Sequence, residues 1–115
     1  MSKHGLQEPT FLILTALAAG PQHGYGIMTD VAQISKNRVN LRAGTLYAAL
    51  DRLSGEGAVD VDREEIVDGR LRRYYKLTPA GAELLAAEAE RLRANATVAS
   101  GRLAKLSESL AGGAA

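Results

Sequence analysis

Apolar residues recur every three or four positions through the first half of the chain, the spacing that places side chains on one face of a helix. The first such segment starts at Pro9, a residue suited to the first helical turn, and stops at Gly20. The second covers about residues 24–35. The third follows Asn40, whose side chain suits an N-cap, and its apolar face holds Leu46, Leu50 and Leu53. The pattern therefore predicts three short helices.

The pattern changes to alternation at Val59 and Val61, which are separated by an acidic residue, and alternation is typical of a strand. Asp68-Gly69 follows, a dipeptide that favours the positive backbone angles of a tight hairpin turn. After the turn, alternate residues face opposite sides: Leu71, Arg73, Tyr75 and Leu77 on one, Arg70, Arg72, Tyr74 and Lys76 on the other. Three helices followed by a hairpin indicate a mainly α (α+β) fold, with a winged helix-turn-helix domain over residues 9–77.

Residues 78–110 are rich in Ala, Leu, Glu and Arg, which favour one long helix. Thr78 suits its N-cap and Pro79 its first helical position. The apolar positions advance by four and three alternately, as in a coiled-coil seam: Leu85, Ala89, Leu92, Ala96, Ala99, Leu103, Leu106 and Leu110. A helix of this length spans roughly 50 Å, more than the preceding domain can cover.

This uncovered seam predicts a C-terminal dimerisation helix that joins two copies of the chain about a two-fold axis. The residues expected at the interface are Leu85, Leu92, Ala96, Ala99, Leu103 and Leu106. Gly101 weakens the helix locally, so a second arrangement stays open, in which the helix breaks within residues 95–101 and folds back on its own domain. Residues 1–8 are expected to form a flexible arm, and residues 111–115 a small-residue tail.

The composition fits one globular domain, since 46% of the 115 residues are hydrophobic and 23% are charged. The chain has no cysteine, which excludes a disulfide scaffold, a thiolate zinc site and a cysteine nucleophile. The longest mainly apolar run, residues 11–19, is too short to span a bilayer. No signal-peptide pattern precedes that run, so the chain is expected to be cytoplasmic and to have no membrane partner.

Few residues could support catalysis. No serine or carboxylate is spaced around His23 as in a catalytic triad, and the acidic residues of the predicted hairpin lack the central glycine of a calcium loop. Gly20, Gly24 and Gly26 follow no predicted strand, so they do not match a phosphate-binding loop. The sequence therefore predicts that the chain is not an enzyme and has no catalytic residue, no metal site and no cofactor.

The basic residues indicate a different chemistry. Arginines cluster on the predicted hairpin, and the third helix carries small and hydroxyl side chains on its non-core face. Such a helix can approach base edges in the major groove while the guanidinium groups bind the phosphates of double-stranded DNA. The predicted DNA-binding residues are Arg42, Thr45, Tyr47, Ala48, Arg52, Arg70, Arg72 and Arg73. A second interpretation is that the arginines are solvated, some of them paired with Glu64 or Glu65 across the hairpin.

Three strings of residues resemble hallmarks of the PadR-like transcriptional regulators, in the order and at the spacing of that family. The first is His23-Gly24-Tyr25 at the start of the second helix. The second is Ala43-Gly44-Thr45-Leu46-Tyr47, followed by Leu50, Arg52-Leu53 and Gly57. The third is Arg73-Tyr74-Tyr75, followed by Leu77-Thr78 and Gly81. The resemblance covers roughly residues 12–92, and the three motifs together are highly specific.

The resemblance implies a winged helix-turn-helix homodimer that binds a pseudo-palindromic operator and usually represses transcription. By position, it assigns Thr45, Tyr47 and Arg52 to the recognition helix, Arg70 and Arg72 to the wing, and Tyr25 to packing. The short region after the wing resembles the subgroup with a brief C-terminal dimerisation region.

The chain also departs from the family pattern. The family often has proline where this chain has Ala43. Some members bind flat aromatic drugs in a pore lined by aromatics, but this chain has no tryptophan and no aromatic residue after Tyr75. A small-molecule effector is therefore expected only as an unidentified partner. The alternative function is a protein–protein adaptor built on a winged-helix dimer.

Overall fold

The computed structural model describes residues 5–112, which form four α-helices and one three-stranded antiparallel sheet. The helices are α1 (Glu8–Ala18), α2 (Gly24–Ile34), α3 (Ala43–Gly55) and α4 (Pro79–Gly112), and the strands are β1 (Gln22–His23), β2 (Val59–Val67) and β3 (Arg70–Leu77). The predicted order of three short helices, a hairpin and one long helix is confirmed. Strand β1, two residues long, adds to the predicted elements.

The predicted N-cap of α3 is wrong. Arg42 occupies that position, with extended backbone and no side-chain hydrogen bond to the helix. Asn40 instead donates from Nδ2 to the carbonyl oxygen of Asn37, at 2.8 Å. Lys36 and Asn37 both have positive φ, 53° and 64°, so the chain turns sharply between α2 and α3. The amide of Asn40 therefore satisfies the backbone of this turn rather than the start of the helix.

The sheet has the order β1-β3-β2. Asp68 and Gly69 have φ of 51° and 75°, the positive values that the predicted tight turn requires. The register shifts between Val61 and Arg63, which leaves an extra residue in β2. This bulge reverses the alternation of β2, so that Glu64 lies directly opposite Arg73 in the next strand.

One hydrophobic core lies between the first three helices and the base of the hairpin. Its largest fully buried side chains are Ile13, Leu14, Ile27, Val31, Leu46, Leu50, Leu53 and Val59. Burying a side chain of this size stabilises the fold by about 1.5–3 kcal/mol. Tyr75 also lies in the core, and Phe11 packs against this core half-buried.

The junction between the hairpin and α4 is built on Thr78. Its hydroxyl donates to the carbonyl oxygen of Gly57 (2.6 Å) and accepts from the backbone N–H of Gly81 (3.0 Å), which confirms Thr78 as the N-cap of α4. The backbone N–H of Thr78 donates to the carbonyl oxygen of Ala58 (3.1 Å). A Cβ at Gly81 would collide with that same carbonyl oxygen, so glycine lets α4 approach the end of α3 closely.

Helix α4 runs without a break through Gly101, and the fold-back arrangement is therefore wrong. Residues 79–90, the near half of α4, pack in part against α1 and the hairpin, with Leu84 and Leu85 on the core. Residues 91–112, the far half, are exposed along their whole length. The described molecule is consequently elongated, with extents of 73 × 29 × 21 Å.

The two terminal predictions fall partly outside the described residues. Of the expected arm, residues 1–4 lie outside, residues 5–7 have no regular structure, and Glu8 already belongs to α1. Of the expected tail, Ala111 and Gly112 extend α4, and residues 113–115 lie outside.

Candidate nucleic-acid interface

Helix α3 has one buried and one exposed face. The buried face consists of Leu46, Ala49, Leu50 and Leu53. Thr45 and Ala48 are exposed on the other side, and Arg42 is exposed at the N-cap. The helix therefore presents small side chains and a hydroxyl to solvent, which permits close approach to another surface.

Tyr47 connects α3 with the start of α2. It is 48% exposed, and its hydroxyl lies so close to Gly24 that a Cβ there would collide with it. Glycine at position 24 is therefore a packing requirement, because any side chain would push the Tyr47 ring away from α2.

Tyr25 contradicts the packing role that the resemblance implies. It is 73% exposed at the N-terminal end of α2 and packs into no core. The sequence carried a signal for this position: Tyr25 lies two residues before the buried Ile27, about 200° away around the helix. Its hydroxyl is thus available on the surface beside Tyr47.

His23 is the N-cap of α2. Its Nδ1 accepts from the backbone N–H of Gly26 (3.1 Å), and its ring meets Tyr74 edge to face with centroids 5.4 Å apart. Burial lowers the pKa of His23, and the nearby Arg72 guanidinium lowers it further. Both effects favour the neutral imidazole, which is the form that can accept from α2.

The three hairpin arginines of the predicted DNA-binding set differ in their partners. Arg73 donates from Nε and Nη2 to Glu64 (both 3.1 Å), as the second interpretation of the basic residues expects. Glu65 pairs with Arg63, whose guanidinium also lies 3.9 Å from the centre of the Tyr74 ring. Within residues 5–112, Arg70 and Arg72 form no ion pair. Arg72 lies opposite Glu65 in the sheet and, in addition to Arg63, helps to lower the pKa of that carboxyl, but it forms no direct ion pair with it.

A hollow of about 580 Å³ separates the hairpin from the starts of α2 and α3. The residues that line it with polar side chains are His23, Tyr25, Tyr47, Asp68, Arg70, Arg72 and Arg73. Four of the predicted DNA-binding residues therefore meet in one place, and three arginines outnumber the single lining carboxylate. Tyr25, absent from the predicted set, joins them.

The remaining predicted residues lie apart from this hollow. Arg52 donates from Nη2 to the hydroxyl of Thr10 on α1 (2.9 Å), which holds its guanidinium on the flank of α3 away from the hairpin. Arg42 and Thr45 do not line the hollow. The eight predicted residues thus form two groups on either flank of α3, with Ala48 between them.

Across residues 5–112, no three His, Asp or Glu side chains come together as a metal site. None of the helices in the described part of the chain combines the length and the apolarity that a membrane crossing requires.

A helix pair joined by a sharp turn, with one face of its second helix exposed beside a β-hairpin, defines the winged helix-turn-helix class of proteins. Within this class, the chain belongs to the transcriptional regulator PadR-like family, whose sequence profile matches residues 13–87. The resemblance carried by the three motifs is therefore confirmed.

Two relatives match parts of the chain. The transcriptional regulator Rv3488 of Mycobacterium tuberculosis is 42% identical over 53 residues, which cover 46% of this chain and 49% of that protein. An uncharacterized 37.1 kDa protein in transposon TN4556 of Streptomyces fradiae is 46% identical over 82 residues, which cover 71% of this chain and 22% of that protein. The chain thus spans half or less of the length of these two relatives.

Solved structures share the fold. A PadR family transcription regulator from Clostridium difficile superposes with a TM-score of 0.69 at 25% identity, covering 84% of this chain and 99% of that one. Bacillus subtilis PadR, solved in complex with operator DNA, superposes with a TM-score of 0.63 at 23% identity, covering 70% of this chain and 47% of that one.

Proposed function

We propose that this chain is a homodimeric, sequence-specific regulator that binds a pseudo-palindromic DNA operator and represses transcription. In this arrangement α3 enters the major groove, a phosphate backbone passes through the hollow, and the hairpin reaches the neighbouring groove. The hollow is the observation that carries the proposal, because it combines two unpaired guanidiniums with the hydroxyls of Tyr25 and Tyr47. These are the donor groups that bind phosphate oxygens.

The charge distribution supports a local contact. The whole chain has a net charge of only +1, so it offers no general attraction for a polyanion. Arg70 and Arg72 concentrate positive charge at the place where the two tyrosines are exposed. A DNA backbone would therefore meet its main attraction at this hollow.

Replacing Arg72 with Ala tests the backbone contact. Binding should weaken on every DNA sequence, and the slope of log K against log salt should become shallower by about one unit, since one phosphate contact is lost. Lys105→Ala is the matched control: it removes one positive charge from the far half of α4, distant from the hollow. Equal effects of the two changes would contradict the proposed contact.

The reading role of α3 is tested by selecting bound sites from a random DNA pool, followed by footprinting on promoter DNA near the chain's own gene. A pseudo-palindromic consensus is expected, and Thr45→Ala should change the preference at one base of each half-site. Weak binding that is indifferent to sequence would instead favour the adaptor function.

The second copy in the proposed dimer would cover the far half of α4. Three leucines of the seam are exposed: Leu92 by 40%, Leu103 by 62% and Leu110 by 72%. An exposed row of leucines is unfavourable in water and is typical of an interaction surface. An antiparallel pairing centred between Thr97 and Val98 sets Leu92 against Leu103 and Ala96 against Ala99. Towards the ends it sets Ala89 against Leu106, and Leu110 against Leu85, which also packs in part on the core of its own domain.

The charges beside the seam favour the same register. In it, Arg93 lies opposite Ser100 and Arg102 lies opposite Asn95. If one helix shifts by one heptad along the other, Arg93 lies opposite Arg93 of the second copy. A shift of one heptad in the other direction places Arg102 opposite Arg102 of the second copy. Like charges in these positions destabilise a coiled coil, so the centred register is preferred.

Cysteine cross-linking tests this pairing, and the chain has no cysteine of its own to interfere. Chains carrying Leu92→Cys should cross-link with chains carrying Leu103→Cys, but neither variant should cross-link with itself. Self-linking of each variant would indicate a parallel pair, and a monomer in sedimentation equilibrium at micromolar concentration would contradict the dimer.

Repression is tested with a reporter gene behind the selected operator. Expression should rise when the gene for this chain is deleted and fall when it is restored; the reverse would show activation. The unidentified small-molecule effector stays a prediction.

A further inference from the structure

Asp51 lies on the exposed side of α3. Opposite the buried leucines, the residues spaced by four, three and four form an outward stripe: Gly44, Ala48, Asp51 and Gly55. Within this stripe Asp51 is the one residue whose side chain can form a hydrogen bond. If α3 enters the major groove, as the proposed function requires, the Asp51 carboxylate enters with it.

The positive groups nearest to Asp51 in the chain or in space are bound elsewhere. Arg52 donates to Thr10 on the far flank. Arg73 lines a hollow of about 400 Å³ together with Asp51, Tyr47 and Ser54, but its guanidinium pairs with Glu64. Asp51 itself forms no ion pair with any residue between positions 5 and 112.

An unpaired carboxylate on this face has few suitable partners in DNA. It only accepts hydrogen bonds, and phosphate oxygens also only accept, so the two repel. In the major groove, the N4 amine of cytosine is a donor with no acceptor beside it on the same base, whereas the N6 amine of adenine has N7 beside it. Cytosine is therefore the base that an aspartate can read without an opposing acceptor.

We propose that Asp51 is a specificity-determining residue of α3, which selects a cytosine in each operator half-site and weakens binding to all other DNA. This inference rests on the proposed DNA-binding function. The same carboxylate acts twice, because it accepts from the cytosine amine at the correct site and repels the phosphates at every wrong one.

The first experiment compares sites selected from a random DNA pool by the full chain and by Asp51→Asn. The original chain should select cytosine at one symmetric position, and Asp51→Asn should shift that position towards adenine, whose N6 and N7 match an amide. Asp51→Ala should lose the preference at that position alone. An unchanged cytosine preference in Asp51→Ala would overturn the proposal.

The second experiment changes the DNA instead of the protein, so it does not depend on how a variant folds. Exchanging that C·G pair for a matched uracil·adenine pair replaces the N4 amine with an oxygen at the same place and adds no methyl group. Binding by the original chain should fall about 5- to 150-fold, the range of one specific base contact. A loss of less than two-fold would overturn the proposal.

The third experiment measures binding to a duplex of scrambled sequence. Asp51→Ala should bind it more tightly than the original chain does, and more tightly than Glu56→Gln, which removes the same charge from the exposed C-cap of the same helix, outside the outward stripe. Equal gains from both variants would overturn the repulsive role of Asp51. If the original chain selects no site at all, the proposed DNA-binding function fails first, so the two failures are distinguishable.

Discussion

The two halves of α4 belong to one continuous helix but lie in different environments. The near half contains the buried Gly81 and Glu88 and packs beside α1, whereas every residue of the far half is exposed. Most helical stability in proteins comes from the packing of one face, which residues 91–112 lack within the described part of the chain. The near half is therefore held by its own domain, whereas the far half is left exposed, and the proposed dimer would cover it.

Replacing Leu103 with Glu should have the largest effect. In the proposed dimer two leucines leave the interface and two charges enter it, so association should weaken by at least about 3 kcal/mol. Sedimentation equilibrium measures the change. Val98→Glu is the matched control, because Val98 has similar exposure (53% against 62%) but lies off the seam. If both variants weakened association equally, the result would contradict a dimer interface formed by the seam residues.

Replacing Gly81 with Ala should destabilise the near half. The added methyl group collides with the carbonyl oxygen of Ala58 and crowds the side chain of Leu77, and overpacking of this kind costs about 1–3 kcal/mol. Urea denaturation followed by circular dichroism measures the free energy of unfolding. A stabilised variant would show that the junction can open without cost.

Replacing Gly101 with Ala should have the opposite sign. No atom in the described part of the chain lies within 4 Å of a Cβ built at this position, and alanine favours a helix interior by about 1 kcal/mol over glycine. The same denaturation experiment should show a higher midpoint. A lower midpoint would mean that position 101 contacts a partner closely.

The smallest expected effect is a pH dependence of stability that arises from His23, at the N-cap of α2 in the domain that holds the near half of α4. Because burial and Arg72 lower the pKa of His23, the unfolded chain takes up a proton below about pH 6.5 that the folded chain does not. The free energy of unfolding should therefore decrease as the pH falls below about 6.5.

His23→Asn tests that pH dependence, since asparagine can cap a helix but does not titrate. The loss of stability between pH 7.5 and 5.5, measured by urea denaturation, should be smaller in the variant than in the original chain. An identical loss in both would exclude His23 as its source.

Local signals were sufficient to predict most of the fold. The leucine spacing of α3 and the turn at Asp68-Gly69 each act over a few residues, so the pattern alone predicts them. The bulge after Val61 and the two-residue strand β1 depend on pairing with β3. Such non-local pairing produces no periodic pattern of residues in the sequence.

The candidate site was predictable in its residue types but not in its partners. Arg52 contacts Thr10, 42 positions away, and nothing near Arg52 in the sequence points to that hydroxyl. Arg73 pairs with Glu64 only because the bulge sets them opposite each other. Among the hairpin arginines, the structure therefore distinguishes the paired Arg73 from Arg70 and Arg72, a difference that spacing alone does not reveal.

The hydroxyl of Thr78 joins three segments: the loop after α3, the end of the hairpin and the first turn of α4. With Gly81 pressed against the backbone of Ala58, this joint has no slack. We therefore expect a rotation of α4 to move the C-terminal end of α3 as well. In the proposed dimer, a signal that rotates one α4 against the other would therefore also move α3.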